Sequence, residues 1–549
     1  MANRRATIPP QNGGQKIVKP GKFAPITLVG SNDEEAATLR EYAEFWKVPF
    51  TTVSRDGGNH LVLSSNPGIL ANRLSPGPVI ISPTGTNGAA NIAKQLGLEA
   101  TSKETLVRLR SSPGASVSFR ATLHEFSSPN LEKKMLDGGH NAILYRIHGS
   151  NVYVLAVDLI AEYRKLFIES MNENPNWKFS LVTRMPFSYN LIPSKIRNRA
   201  FKTKQDLASV REEIYGPVEC LRLIFLASIV IASPDPVPII RFWRRGKSYA
   251  LAISHDVETQ LGLEDGAGRL FEVEKELGIR STWNIPSDRY PLSSQLLISL
   301  ATNGEVGAHD TKHDGKLLFT TGKAKLERVR RCKERLERLS GREVQGFRAP
   351  LLQHSLALVE ALGEADYDYD SSMPSWEPLS PTSLKPHGVG TVFPFMISDT
   401  VEIPVSMPQD HQLMRAGRLK VYEAVDYLLK LSAWIKNNGG ACVLLVHPDY
   451  EFSQEAGLGE YRRLLGSFHS DPSCDVMTLG DLARWWAYRQ QSYIDDSGKI
   501  LTKQNRRGKD NTGELEVGLV AGYGPDGLVI QNPSIINTVE TNENPKQGR

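Results

Sequence analysis

From about residue 245 onward the chain alternates short apolar runs with amphipathic stretches, and no other feature constrains its fold as much. The runs are SYALAIS, RSTWNIP, EVGAHD, VQGFRAP, ADYDYDSS, TVEIPVS, ACVLLVHPD and CDVMTL. Between most of them lie segments with apolar residues at i, i+3 and i+4, such as KAKLERVRRCKERLERL and the glycine-terminated VYEAVDYLLKLSAWIKNNGG. Alternating strands and helices call for an α/β fold with a parallel sheet. Seven or eight such units over about 240 residues have the size and order of a (β/α) barrel.

A second α/β pattern precedes it. APITLVG reads as a strand, SNDEEAATLREYAEFW as a helix opened by Ser31, and PFTTVSR and PVIIS as further strands. The loop PTGTNGAA carries Gly85 and Gly88 between a strand and a helix but lacks both a Walker Lys-Ser/Thr pair and G-x-G-x-x-G, so it reads as a turn. NVYVLAVDLIAEY reads as a strand followed by a helix. This layout resembles that of a flavodoxin-like or amidotransferase-like accessory domain. No cysteine precedes Cys220, which removes an amidotransferase thiol. The run Leu223–Ala232 is about half the roughly 20 residues of a membrane-spanning helix and reads as a buried element between domains. The expected organisation is a flexible tail at 1–22, an accessory domain and connector at 23–240, the barrel at 245–490, and a C-terminal extension at 491–549. In that extension ELEVGLVAGYGPDGLVIQ forms a hairpin turned at Pro525-Asp526-Gly527, and the last residues are disordered.

Composition narrows the function. Lys+Arg 65 against Asp+Glu 61 is too balanced for nucleic acid or an anionic membrane as the main partner. The four cysteines show no C-x-x-C spacing, which fits free thiols in a reducing compartment. No apolar core follows the basic N-terminus, so a cytoplasmic location without a transmembrane segment is expected.

In a barrel, polar residues at the C-terminal strand ends face the active site. Here those positions hold His255, Asp256 and Glu258 after the first strand, and His309 and His313 after the third. Arg348 follows the fourth, Asp370 the fifth, and His447 and Asp449 the seventh. Each alone has an ordinary explanation as a cap or a satisfied core group; their succession does not. Two histidines and a carboxylate leave positions open on a zinc-like ion, as catalytic sites do. A second carboxylate held by an arginine can act as base, and a histidine from another strand can protonate a leaving group. The chemistry is metal-assisted hydrolysis of an amide or ester.

The ordered set SHDVE, HDTKHDG, GFRAP, DYDYDSS and LLVHP resembles the polysaccharide deacetylase (NodB-homology, carbohydrate esterase family 4) superfamily over about residues 245–490. The resemblance implies a distorted (β/α)7 barrel that binds one divalent ion, usually zinc, and removes acetyl groups from sugars. It assigns Asp256 as base, His309 and His313 as metal ligands, Arg348 as the partner of the base and His447 as acid. Leu444 would help wall the acetyl pocket, and the backbone N–H of Leu351 would serve the oxyanion hole. Asp370 would tune Arg348 or His447 from behind, and Trp376 would wall the substrate groove.

This chain departs from the family in its first motif, where Val257 follows Asp256. Glu258 is the preferred third ligand, with Asp256 or His255 as alternatives. The resemblance makes zinc the expected metal, with cobalt, nickel or iron also accepted by such a donor set. The expected partner is an acetylated sugar or glycan. Two other readings are a hydrolase of a cyclic amide on the same fold and a degenerate glycan-binding barrel.

Overall fold

A computed structural model describes residues 24–52, 61–69, 77–183, 216–377, 382, 386–503 and 514–531. The tail at 1–22, most of TVSR after Phe50-Thr51 and the last residues of the chain lie outside them. The fold is α/β.

The first region holds strands β1 (Ile26–Val29), β2 (Phe50–Thr51), β3 (Val62–Ser64), β4 (Val79–Ile81), β5 (Glu99–Ser112), β6 (Ala115–Ser127), β7 (Leu131–Leu136), β8 (Ala142–Ile147) and β9 (Val152–Leu155). Its sheet runs β2-β1-β3-β4-β9-β8-β7, parallel as far as β9 and antiparallel beyond. β5 and β6 form a long separate hairpin that the sequence reading does not contain. Turn residues are sparse around it: Pro113-Gly114 marks the tip, but the strands alternate polar and apolar residues with no strong apolar run.

The second region contains β10 (Val237–Ile240), β11 (Tyr249–Asp256), β12 (Thr282–Ile285), β13 (Glu305–Ala308), β14 (Gly346–Phe347), β15 (Tyr369–Asp370), β16 (Phe395–Ile397), β17 (Thr400–Glu402), β18 (Ala441–Val446) and β19 (Cys474–Met477). The order β17-β15-β14-β13-β12-β11-β18 is parallel throughout, with β16 antiparallel at one edge and β19 beside the start of β11. All eight residues of β11 are buried, as a strand covered by helices on its outer face and by side chains on its inner face must be. Between β17 and β18 there is no ladder. The Met407 N–H donates to the Val443 carbonyl at 3.3 Å and the Ser406 hydroxyl to the Ala441 carbonyl at 2.6 Å.

After β20 (Ser492–Ile494) and β21 (Ile500–Thr502), β22 (Val517–Gly524) and β23 (Gly527–Gln531) form a hairpin. β22 also pairs with β10, so the hairpin is stitched to the start of the second region. The apolar run 223–232 belongs to helix Pro217–Ala232, in which every residue but Ile231 is buried. Its Glu219 accepts from the Val392 N–H at 3.1 Å, and its Arg222 lies 3.8 Å from the Phe45 ring centroid. One continuous apolar cluster therefore joins the two regions through this helix. Truncating a fully buried member such as Leu226 to Ala would cost about 2–5 kcal/mol. Among the described residues no helix is long and apolar enough to cross a membrane.

Candidate metal and acid–base site

The C-terminal ends of β11, β13, β14 and β18 bring Asp256, Glu258, His309, His313, Arg348 and His447 into one group, all of it buried except the half-buried Glu258. Strand parity decides who faces it. Asp256 and His255 are neighbours on β11, so their side chains leave opposite faces. Asp256 points inward. Its Oδ1 accepts from Asn284 Nδ2 at 2.9 Å and lies 3.5 Å from Arg348 Nη1, while its Oδ2 lies 3.8 Å from His309 Nε2. His255 points outward, stacked on Trp283 with ring centroids 4.0 Å apart. Its two nitrogens lie 3.1 Å from the Val446 carbonyl and 2.7 Å from Glu274 Oε1. It is therefore not available as a metal ligand.

The segment between His309 and His313 is not a helical turn. Asp310 and His313 both have positive φ, +64° and +52°. Arg328 holds this conformation, donating to both oxygens of Asp310 at 2.5 Å and to Asp314 at 2.6 Å. The two acids thus fix the loop. The imidazole centroids of His309 and His313 end 4.9 Å apart. His313 Nε2 lies 3.2 Å from Glu258 Oε1, and Glu258 Oε2 accepts from the Tyr450 hydroxyl at 3.1 Å. A side chain at Gly307 would collide with Asn284, so the close approach of β13 to the Asp256–Asn284 pair requires glycine there.

The donor set suits a divalent ion. His309 donates from Nδ1 to the Arg348 carbonyl at 2.8 Å, which leaves the Nε2 lone pair facing the group. Burial pushes its pKa down to about 4, so the ring is neutral near pH 7. Nε2 itself is buried without a hydrogen-bond partner. The 3.8 Å and 3.2 Å His–carboxylate separations are ones that two ligands at about 2.0–2.2 Å from one ion can span. His309, His313 and either Glu258 or Asp256 would hold it.

Opposite these residues, His447 donates from Nδ1 to Asp410 Oδ1 at 2.6 Å, and its backbone N–H donates to Asp410 Oδ2 at 2.8 Å. Burial opposes charge on His447, but Asp410, with Glu258 and Asp256 beyond it, outweighs burial and lifts its pKa to about 9. For Asp256 burial acts upward, yet His309, Arg348, His447 and the Asn284 hydrogen bond together hold the carboxyl below its usual value. A neutral-pH site therefore pairs an anionic Asp256 with a cationic His447. Asp410, His411 and His447 also bring donor atoms within 4.8 Å of one another. Both oxygens of Asp410 are already engaged, by His447 and by the His411 N–H, so this trio is an orienting carboxylate with its histidine and not a second ion cage.

The other expected residues take the following places. Leu444 has the parity opposite to His447, whereas Leu445 shares it and forms a small buried cluster with Leu352 and Val405. Leu351 has φ +61° and is half-buried. Asp370 does not touch His447. It accepts from Ser372 at 2.5 Å, and Ser372 accepts from the Ala349 N–H at 2.8 Å, fixing the strand end that carries Arg348. Burial pushes Asp370 up to about 6. Trp376 lines a small cavity with Pro217, Tyr427 and Trp434, away from the histidines. Sequence reasoning missed Asp410, Asn284, Tyr450 and Leu445. Asn284 carried a signal, a lone polar residue inside the apolar end of β12.

No protein-family model and no curated protein matches the chain. Solved structures do. A structure named as a polysaccharide deacetylase from Mycobacterium smegmatis is 18% identical, with TM-score 0.39 over 49% of this chain and 97% of that one. The PuuE allantoinase is 16% identical, with TM-score 0.36 over 44% and 92%. The peptidoglycan deacetylase PdaC from Bacillus subtilis is 14% identical, with TM-score 0.30 over 44% and 92%. All three likenesses cover less than half of this chain, at TM-scores below 0.5.

Proposed function

We propose that the chain is a metal-dependent hydrolase that removes an acetyl group from an N-acetylated amino sugar or glycan, working at the open end of a distorted (β/α)7-type barrel. The observation that carries this reading is the meeting of a carboxylate–arginine pair, a His–His–carboxylate set and an Asp-supported histidine in one buried site. A bound divalent ion, held by His309, His313 and Glu258 or Asp256, would polarise the acyl oxygen and acidify the attacking water. Asp256, kept ionised and oriented by Arg348 and Asn284, accepts a proton from that water. His447, kept protonated by Asp410, gives one to the departing nitrogen, so the amine leaves neutral. The buried cluster Leu352–Val405–Leu445, whose Leu445 shares the strand parity of His447, would give the acetyl methyl group an apolar neighbour.

The test is acetate release by purified protein from N-acetylated nucleotide sugars and chitooligosaccharides, run beside ring opening of cyclic amides. Acetate from an amino sugar supports the reading; ring opening without acetate moves the substrate to the cyclic-amide class.

A further inference from the structure

We propose that Glu377 is a positioning residue for His447, and that the first region holds it there. Asp410 and His411 lie in the middle of the segment Gln409-Asp410-His411-Gln412. The inner pair faces His447: Asp410 takes its Nδ1–H, and the His411 ring packs edge-on to it with centroids 5.2 Å apart. The outer pair faces one carboxylate. Gln409 Nε2 donates to Glu377 Oε1 at 3.4 Å, and Gln412 Nε2 donates to the same oxygen. Glu377 is 2% exposed, so its bonds to the two glutamines are shielded from water. Because Asp410 sits between the two anchored residues, releasing Glu377 frees the carboxylate that orients the acid.

Glu377 is fixed from behind. Its backbone exchanges two hydrogen bonds with His387, at 2.7 and 3.1 Å, and His387 Nε2 lies 3.1 Å from Glu377 Oε2. The His387 ring packs 5.4 Å from His354. His354 is gripped by the first region: its Nε2 lies 3.3 Å from the Ser170 carbonyl, and its own carbonyl accepts from the Glu173 N–H at 3.1 Å. Asn172 Oδ1 accepts from the Leu356 N–H at 3.0 Å, and Asn176 N–H donates to the Thr382 carbonyl at 3.0 Å. Residues 170–176 thus bind the loops that follow β14 and β15. This gives the first region a task, buttressing the loops that set the acid.

The inference rests on His447 being the acid of the reaction proposed above, and its test is chosen so that the two can fail separately. The low-field Nδ1 proton of His447 is followed by NMR in wild type, Glu377→Ala, Glu377→Gln and Gln412→Ala, whether or not the protein turns over. The proton should shift upfield or vanish in E377A and Q412A and persist in E377Q, whose amide oxygen still accepts from both glutamines. With an acetamido sugar, kcat should fall about 10–100-fold in E377A at unchanged KM, while an activated acetate ester, which needs no acid, changes little. A first-region variant, Asn172→Ala, should move both readouts the same way by less. Should E377A and Q412A fold with the wild-type proton signal and equal losses on amide and ester, Glu377 is merely structural. Should E377A not fold, Q412A and E377Q decide. Should no acetyl substrate turn over while the proton responds as stated, the positioning stands and the assigned reaction falls.

Discussion

Replacing Asp410 by Asn tests the electrostatics of the site at a single atom pair. The side chain keeps its shape, but the charge 2.6 Å from His447 Nδ1 disappears. In the native site His447 titrates near 9, against 6.5 for a free imidazole. The gap of about 2.5 units corresponds to roughly 3 kcal/mol at about 1.36 kcal/mol per unit. The sign follows from linkage: a pKa raised by folding adds stability that is complete below the unfolded value and is lost as pH rises through the folded one. The wild-type advantage over D410N should therefore be largest at pH 6–6.5 and shrink by about 3 kcal/mol by pH 9.5. Urea melts of chelator-treated protein at these two pH values measure it, and NMR titration of His447 should show its pKa falling back toward that of a free imidazole. A D410N protein whose His447 still titrates near 9, or an advantage that grows with pH, would refute the assignment.

Four further outcomes are expected. His309→Ala or His313→Ala should each abolish binding of a divalent ion, measured by calorimetry and elemental analysis, because the site has no ligand to spare. Asp256→Asn should keep the ion and lose turnover while Glu258→Gln loses the ion; the reverse pattern would exchange their roles. His447→Ala should slow amide hydrolysis by about 10²–10⁴-fold but spare activated esters, and equal slowing of both would argue against an acid. His255→Ala should leave metal binding intact but cost about 2–5 kcal/mol in a denaturant melt, because it removes a fully buried ring stacked on Trp283 and one hydrogen bond to Glu274, which keeps those from Tyr461 and Ser281.

The residues legible in the sequence were those whose chemistry stands out at a strand end: Asp256, His309, His313, Arg348 and His447. What sequence could not settle was orientation. A strand turns successive side chains to opposite faces, so His255 beside Asp256 and Leu444 beside Leu445 differ only by parity, and parity needs the register with β12 and β18. Asp410 was missed because it opens a short helical segment after the three-residue β17, with no periodicity to place it opposite His447. The helix Pro217–Ala232 read as buried from its composition alone, but its polar partners Thr391 and Val392 lie about 170 residues away and no local pattern points to them. The hairpin β5–β6 was overlooked because its long strands lack the apolar runs that mark a core strand.

The proposed acetyl removal depends on an ion held by two histidines and a carboxylate. Metal-stripped protein titrated with Zn²⁺ while acetate release is followed tests it most directly. No acetate should be released without the ion, the rate should rise and saturate at one ion per chain, and H309A should release none at any ion concentration. Full release from metal-free protein, or a saturating rate in H309A equal to that of wild type, would contradict it.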